Sequence, residues 1–600
     1  MRLSRPPLGW PWFIALLAAM IVWGFVDVRR RGYLDPHNPA DHKTDFTVYT
    51  EAGAAFFDGR PPYEVENPRG WSYLYPPIFA ILLSPLYALE PQDQVTVWFF
   101  LSLLFCWGCY REFVRLVRIV DNRVGAAVRA SSVGAAVALP PPMAANRDDN
   151  TTAVLTAMRG GSTTATPTQD ATATPTQDAT ATPTLDATAI QSRSADVATW
   201  LPWLGVVAAV AAALPTLNCL QRGQVGVLKL YLLLLGVRLI LGGRSPRAWL
   251  AGGLVLSMPA VMKIIPTLPV AFFLFLQFVA WLREAIARRT QARRTQSHCV
   301  HDRRSNTPSC GTDRRSETAS YIGKQRETES RAAGRRFAWS TSGAALGAVL
   351  FALLIPAALV GWKANLDHLG TWADFMLTKF TDGGVDPRSG NSLAMRNQSL
   401  QNAGYRFGNF AAYVAGRGPD DRLVENDNPP PMPMDAPAAQ WLLAAVRGLL
   451  LLGLLWAGVR LGRLGDRLSL AAGFGLACVA MLMVSPVARG HYFMLSAPAI
   501  LFFTPWLAAR GPRRTAVALA LMPAALSVLH YVLLPWTGRI GLLGLGTACW
   551  LAAALALTIR CCKQHTHVDV LGPSARDPAH VVGEIHQPRV RPRVPRGVTS

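Results

Sequence analysis

The chain has 600 residues, of which 51% are hydrophobic, and a formal net charge of +22 at pH 7. An apolar share this high argues against a soluble globular protein of this length. The positive charge does not indicate a nucleic-acid partner, because it is concentrated in segments that connect apolar runs. The largest of these segments, residues 283–336, holds 14 Lys and Arg against 6 Asp and Glu.

Apolar runs near the length of a membrane-spanning helix recur along almost the whole chain. A helix of about 20 apolar residues crosses a bilayer. Trp residues stand at the ends of several runs, which suits the membrane interfaces. We therefore predict an all-α polytopic membrane protein with roughly 12 to 14 transmembrane helices. The main runs are Trp10–Val26, Val95–Leu116, Trp200–Leu214, Val225–Leu241, Phe272–Leu282, Ala344–Val360, Trp441–Leu461 and Thr515–Leu534.

Four polar stretches divide this predicted membrane core. Residues 141–198 are rich in Pro, Thr and Ala and contain near-identical repeats, so we predict a disordered insert. Residues 283–336 are predicted to form a basic cytoplasmic loop, and residues 560–600 a disordered cytoplasmic tail. Residues 363–440 carry aromatic side chains and are predicted to form an extracytoplasmic loop. The core then comprises 1–140, with a catalytic loop at about 28–75, and 199–282, 337–362 and 441–559.

Charge asymmetry predicts which polar segments share a membrane face. We place the N-terminus and the basic loop in the cytoplasm, and we expect a short pair of spans after Asp45 and a weak span near 124–140. The predicted inner segments are then 242–247, 463–467 and 510–514. The predicted outer segments are Asp45, 221–224, 258–266, 363–440 and 485–491. The polar, motif-like segments of the core thus fall on one face.

The polar segment after the first apolar run places a carboxylate among aromatic residues. It begins with Thr44-Asp45-Phe46-Thr47-Val48-Tyr49 and ends in Tyr73-Leu74-Tyr75-Pro76-Pro77-Ile78-Phe79-Ala80. An acid at a membrane interface costs free energy unless another group satisfies or uses it. Asp45 either caps a helix that begins at Phe46 or acts as a base at the water interface.

A series of short segments resembles glycosyltransferase family 87, over the core from about residue 10 to 535 apart from the inserts. Near the end of the series the family usually carries a Trp and paired His, where this chain has Arg489-Gly490-His491. The segments are Asp45-Phe46-Thr47-Val48-Tyr49 with Ala52-Gly53, Gly59, Tyr63, Tyr73-Leu74-Tyr75-Pro76-Pro77-Ile78-Phe79-Ala80, Gly223-Gln224-Val225, Lys263-Ile264-Ile265-Pro266, Asn397-Gln398-Ser399-Leu400, Ser485-Pro486 and His491-Tyr492.

The resemblance implies a GT-C-like bundle of transmembrane helices with extracytoplasmic loops. Characterised members of the family are polyprenol-phosphate-mannose-dependent α-1,2-mannosyltransferases. The expected partners are therefore a polyprenyl-phosphate sugar donor, a glycan or glycolipid acceptor, and the lipid bilayer, and the expected location is the plasma membrane of a bacterium. No Asp-x-Asp motif occurs in the chain, so we expect neither a metal nor another cofactor.

The chemistry of sugar transfer assigns roles to the residues of these segments. A base must take the proton of the acceptor hydroxyl, and Asp45 is the candidate. Cations or donors must stabilise the departing phosphate, and Lys263, Arg489 and His491 are the candidates. The candidate substrate contacts are Tyr49, Tyr75, Gln224, Asn397 and Gln398. Lys263 also has a structural interpretation, because a lysine at a helix end can extend to the interface without a ligand.

Two other functions remain open from the sequence. A transporter or lipid flippase would also span the membrane, although such proteins often show repeated halves and charges at midspan. Here no internal repeat of the core is visible, and the ionisable residues stand at the ends of the apolar runs. A non-catalytic assembly partner would keep the fold and could dispense with Asp45.

Overall fold

A computed structural model describes residues 10–35, 37–38, 42–68, 72–137, 187–302, 313–381, 397–416, 437–485 and 487–570. These residues form eighteen α-helices, and their β pairing is limited to two isolated bridges. Nine of the helical segments in these ranges are long and apolar enough to cross a membrane. The prediction of an all-α polytopic membrane protein is confirmed.

The helices follow one another with short connections. The first are α1 (Trp10–Gly32), α2 (Thr47–Phe57), α3 (Pro77–Leu83), α4 (Pro91–Val137), α5 (Ala187–Gln221), α6 (Gly226–Gly242) and α7 (Pro246–Met262). The next are α8 (Thr267–Asp302), α9 (Asp313–Val349), α10 (Ile355–Val360), α11 (Trp362–Thr381) and α12 (Leu400–Val414). The last are α13 (Pro437–Leu464), α14 (Arg467–Val484), α15 (Thr504–Arg510), α16 (Arg513–Val532), α17 (Leu534–Arg539) and α18 (Leu542–Val570). The 3₁₀ helices are Ser84–Ala88 and Gly490–Ser496, and the π turns are Leu350–Leu354 and Ala499–Phe503.

The centre of the bundle is formed by α14 and the segment Gly490–Arg510 that follows it. Their apolar windows are 89% and 94% buried, against 17% for Arg331–Val360 at the periphery. Small residues in α14 allow this central position, since a Cβ on Gly475 would lie only 2.8 Å from the Cα of Ala499. The other spans surround these two segments and leave apolar side chains on the outside.

Glycines set the closest helix contact of the bundle, between α7 and α9. A Cβ on Gly253 would lie 2.0 Å from the carbonyl oxygen of Ser340, and one on Gly343 would lie 2.1 Å from that of Leu250. Gly347, one turn after Gly343, meets the Ser257 hydroxyl in the same way. Small residues at this spacing let two helix backbones approach in a membrane, where dispersion contacts drive association.

The two ends of the bundle carry different polar contacts. At one end Arg283 donates to the carbonyl of Arg463, and Arg510 pairs with Asp466 at 3.2 Å. At the other end the backbone of Asp45 bonds to that of Arg222. Segments 463–467 and 510–514, which were predicted to share the inner face, thus meet at one end, and Asp45 and segment 221–224, which were predicted to share the outer face, meet at the other.

Several boundaries differ from the sequence prediction. Of the short pair of spans predicted after Asp45, one is present in α4, as Pro91–Val120, whereas the stretch before it forms the short helices α2 and α3. Helix α4 also continues as one helix to Val137, into the weak span predicted near 124–140. The helices α6 and α7 have 17 residues each, slightly less than a full span. Helix α5 begins at Ala187, inside the predicted insert, and the rest of that insert lies outside the described residues.

The other polar stretches contain more helix than the sequence predicted. Helices α8 and α9 extend into the basic segment 283–336, and its residues 303–312 lie outside the described ranges. The stretch 363–440, which was predicted to lie outside, contains most of α11 and all of α12. The tail is helical to Val570, and residues 571–600 lie outside the described part.

Replacement of Gly343 by Leu should destabilise the bundle by about 1–3 kcal/mol, because the new side chain forces α7 and α9 apart. Gly448→Leu in α13 is the matched control, since a Cβ there meets no atom within 4 Å. Thermal unfolding of the two purified variants in the same detergent compares them. Equal transition temperatures would contradict the close-contact role of Gly343.

Candidate active site

Asp45 lies in a buried turn immediately before α2. It is 4% exposed, and Gln224 Nε2 donates to its Oδ2 at 2.5 Å. Its Oδ1 has no hydrogen-bond partner among the described residues. The N-cap of α2 is Phe46, without a side-chain cap bond, so the interpretation of Asp45 as a helix cap is wrong. One carboxylate oxygen is therefore left for a ligand.

The turn after α5 holds Asp45 in position. The N–H of Asp45 donates to the carbonyl of Arg222 at 3.1 Å. Gly223 has a φ of +66°, which L side chains rarely adopt, and a Cβ there would lie 2.7 Å from the Cβ of Phe46. The two residues of the Gly-Gln pair thus have different roles: Gly223 permits the close turn, and Gln224 binds the carboxylate of Asp45.

The Tyr/Pro block builds the wall beside this turn. The hydroxyl of Tyr73 donates to the carbonyl of Pro76 at 2.7 Å and accepts from the N–H of Ala80 at 3.0 Å, which anchors the start of α3. The hydroxyls of Tyr49 and Tyr75 lie 3.3 Å apart. Burial raises the pKa of Tyr49 well above 10.0, with Asp45 adding to it, so this hydroxyl stays neutral.

Lys263 lies in the turn between α7 and α8, enclosed by two tyrosines. Its Nζ donates to the hydroxyl of Tyr492 and, at 3.5 Å, to that of Tyr75. Its Nζ also stands 4.8 Å and 5.0 Å from the ring centroids of these two tyrosines. The structure therefore gives Lys263 two tyrosine partners, and its predicted contact with a phosphate stays a prediction. Burial, with help from the charge of Arg489, lowers the pKa of Lys263 to about 7, and Asp45 opposes this shift.

Two further cations complete a cationic cluster, which we define as Arg222, Lys229, Lys263 and Arg489. Lys229 is 4% exposed, with its Nζ 5.1 Å from the Tyr492 ring centroid, and Arg222 is 8% exposed. All four interact electrostatically with His491. Arg222 and Lys229 are buried and Lys263 and Arg489 are half-buried, and like charges in such surroundings favour a bound anion. The cluster can therefore hold an anionic group.

A cleft of about 170 Å³ adjoins the cluster. His491 lies in its wall, is 1% exposed, and neither of its ring nitrogens has a hydrogen-bond partner among the described residues. The cleft is formed by the ends of α1, α5 and α16 and by the 3₁₀ helix after α14. The lining residues are Arg31, Asn218, Gln221, Arg222, Arg489, Gly490, His491, His530, Tyr531 and Leu534.

Asn397 and Gln398 support the turn that carries Arg489. Asn397 pairs with Arg489 in an isolated antiparallel bridge, and its Oδ1 accepts from the N–H of Ala488 at 3.0 Å. The N–H of Gln398 donates to the carbonyl of Ala488 at 2.7 Å, and its side chain accepts from the N–H of Gly544. Both side chains thus bond to backbone groups, and their predicted contact with substrate stays a prediction.

The structure divides the residues predicted from the sequence into three groups. Asp45, Tyr49, Tyr75, Gln224 and Lys263 form one set of neighbours, Arg489 and His491 line the cleft, and Asn397 and Gln398 stand behind them.

Sequence reasoning missed several residues at this end of the bundle. They are Arg31, Arg222, Lys229, His530 and Tyr531. Lys229 carried a usable signal, since it is one of two charges, with Arg238, inside the apolar run Val225–Leu241. Arg222 was next to the Gly-Gln pair, and His530 and Tyr531 carried no signal.

Comparison with known proteins adds one match. Residues 73–173 match the model of glycosyltransferase family 87, beginning at Tyr73 in the Tyr/Pro block. No curated protein and no solved structure shows significant similarity to the chain. The resemblance to glycosyltransferase family 87 is thus confirmed over residues 73–173, and it supports a membrane glycosyltransferase.

Proposed function

We propose that this protein transfers a hexosyl group, mannosyl in the first instance, from a polyprenyl-phosphate-linked donor to an extracytoplasmic glycan or lipid acceptor. The observation that carries the proposal is the buried Asp45, whose Oδ1 lacks a partner among the described residues and which interacts with Lys263 of the cationic cluster. We place the reaction at the outer face of a bacterial plasma membrane.

The proposed step needs one base and one stabilised leaving group. Asp45 Oδ1 takes the proton of the acceptor hydroxyl while the oxygen bonds to the anomeric carbon of the sugar. The bond from that carbon to the phosphate oxygen breaks, and polyprenyl phosphate leaves with the electron pair. Its negative charge is stabilised by Lys263, Arg489 and His491. The protonated Asp45 then returns its proton to water.

The supporting residues match the needs of the two substrates. Gln224 holds Oδ2 of Asp45 and so directs Oδ1 towards the acceptor. Tyr49 and Tyr75 present neutral hydroxyls beside Lys263, suited to sugar hydroxyls or to a phosphate oxygen. A lipid-linked donor suits this position, because the cluster sits at the end of apolar helices, where a polyprenyl chain can remain in the bilayer.

A lipid flippase or another transporter of lipid phosphates could use the same cations. A transporter would not need a base. A requirement for the carboxylate of Asp45 would therefore distinguish sugar transfer from transport. The alternative of an assembly partner without catalysis also predicts that Asp45 is dispensable.

Asp45→Asn should lower turnover by roughly 10²-fold or more, because the amide keeps the shape of the side chain but cannot accept the proton. The measurement is transfer of radiolabelled sugar from a polyprenyl-phosphate donor in proteoliposomes, with thermal stability measured alongside. Glu51→Gln, on α2, is the matched control and should retain activity. A folded Asp45→Asn protein with normal turnover, or a loss confined to Glu51→Gln, would reject Asp45 as the base.

The end of the bundle that carries Asp45 should face outwards. Single cysteines at Asp58, exposed at the end of α2, and at Arg513, exposed at the start of α16, report the two ends. In a background without the native cysteines, an impermeant thiol reagent applied to intact cells should label position 58 and leave position 513 unmodified. The reverse pattern would place the site in the cytoplasm.

The affinity for the donor should fall as the pH rises above about 7. The pKa of Lys263 is about 7 without ligand, and a bound phosphate favours the ammonium and raises this pKa. The dissociation constant should therefore rise by up to about tenfold per pH unit until the pKa of the complex is reached. The phosphodiester of the donor keeps one negative charge above pH 7. The slope of the dissociation constant against pH therefore reflects a titration of the protein and not of the donor.

Binding of polyprenyl-phosphate sugar to the protein in nanodiscs, measured between about pH 6 and 9, gives this profile. Lys263→Arg stays charged throughout and should flatten it. A wild-type profile that is already flat, or an equal slope in Lys263→Arg, would show that Lys263 does not contact the phosphate.

A further inference from the structure

The cleft contains polar groups that the proposed chemistry of Asp45 leaves unused. His530 is 2% exposed, and its Nδ1 has no hydrogen-bond partner among the described residues. The buried hydroxyl of Tyr531 likewise has none in that part of the chain. Both line the cleft at the end of α16 and share it with Asn218 and Gln221 at the end of α5. Unpaired buried polar groups cost free energy, so a polar ligand in the cleft would be favoured.

We propose that His530 and Tyr531 determine sugar specificity: they bind hydroxyls of the sugar of a glycosyl phosphate whose phosphate is held by Arg222 and Arg489. The assignment rests on the proposed function, because it concerns the donor of the same reaction. It adds Arg222 to the residues that bind the phosphate, and it assigns the binding of the sugar hydroxyls to His530 and Tyr531.

The composition of the cleft favours a glycosyl phosphate over a simple anion. Arginine binds phosphate oxygens through two parallel N–H groups, and both Arg222 and Arg489 line the cleft. A neutral imidazole offers one donor and one acceptor, and a phenol offers both, which matches sugar hydroxyls. Arg31 also lines the cleft, and it pairs with Asp27 at 2.7 Å.

Gly490 brings the Tyr531 hydroxyl close to the turn that carries Arg489. A Cβ on Gly490 would lie 2.8 Å from this hydroxyl and 3.6 Å from His530 Nε2. A side chain at position 490 would therefore displace the Tyr531 hydroxyl, whereas its distance from His530 is an ordinary van der Waals contact. The glycine between Arg489 and His491 thus permits the proposed sugar contacts.

The cleft is also connected to the proposed base. The carbonyl of Arg222 accepts the N–H of Asp45 at 3.1 Å, so the phosphate-binding arginine and the base belong to adjoining turns. A sugar between Arg222 and Tyr531 would therefore lie at the same end of the bundle as Asp45 Oδ1.

Tyr531→Phe is the main test, because it removes one hydroxyl and keeps the ring. It should weaken binding of polyprenyl-phosphate sugar about three- to tenfold, the usual effect of one neutral hydrogen bond, and leave binding of sugar-free polyprenyl phosphate unchanged. His530→Phe should give the same pattern. Arg222→Gln should weaken both ligands. Tyr110→Phe, on an exposed tyrosine of α4, is the matched control and should change neither.

A series of donors that each lack one sugar hydroxyl identifies the hydroxyl that Tyr531 binds. For one donor of the series, Tyr531→Phe should not change the affinity, because that donor already lacks the sugar hydroxyl to which the Tyr531 hydroxyl bonds. Water-soluble hexose 1-phosphate should compete in the same Tyr531-dependent way, and its strength relative to the lipid donor shows how much the polyprenyl chain contributes.

Equal weakening of sugar-bearing and sugar-free lipids by Tyr531→Phe would overturn the proposal, as would an unchanged affinity for both lipids. Failure of the proposed function gives a different result. In that case the wild type transfers no sugar, whereas Tyr531-dependent binding of glycosyl phosphates can still be measured.

Discussion

The site depends on one constraint: four positively charged side chains lie close together beside the carboxylate of Asp45. Arg222 and Lys229 are buried, Lys263 and Arg489 are half-buried, and tyrosine rings beside the two lysines offset part of the cost of placing like charges together. The remaining charge favours an anionic ligand. Gln224 binds Oδ2 of Asp45, whereas Oδ1 has no hydrogen-bond partner in the described part of the chain and remains near these cations.

The most buried part of the bundle positions these charges. Arg489 and His491 follow directly after α14, whose small residues place it at the centre. The Asn397 bridge ties the same turn to the start of α12. A site carried by a rigid core can hold charged groups in a fixed arrangement, which is the condition for electrostatic stabilisation of a leaving group.

Three further arginines lie at the end of α1, close to the site. The run Arg29-Arg30-Arg31 lies at the same end as Asp45. Arg29 pairs with Asp93 at 3.3 Å and Arg31 with Asp27 at 2.7 Å. Helix α11 contacts the Tyr/Pro block, with Trp372 donating to the carbonyl of Leu74 at 3.4 Å.

The sequence by itself determined the class of the fold and the chemistry-bearing segments, because helix length, hydropathy and charge asymmetry are local properties. It identified Asp45, Gln224, Lys263 and Arg489 through short motifs. Only the tertiary structure decided that Gln224 binds Asp45, that Lys263 is enclosed by Tyr75 and Tyr492, and that Asn397 supports a backbone turn. It alone brought His530 and Tyr531 to the cleft, since contacts between distant segments depend on how closely helices approach, and single glycines such as Gly223 and Gly490 set that approach.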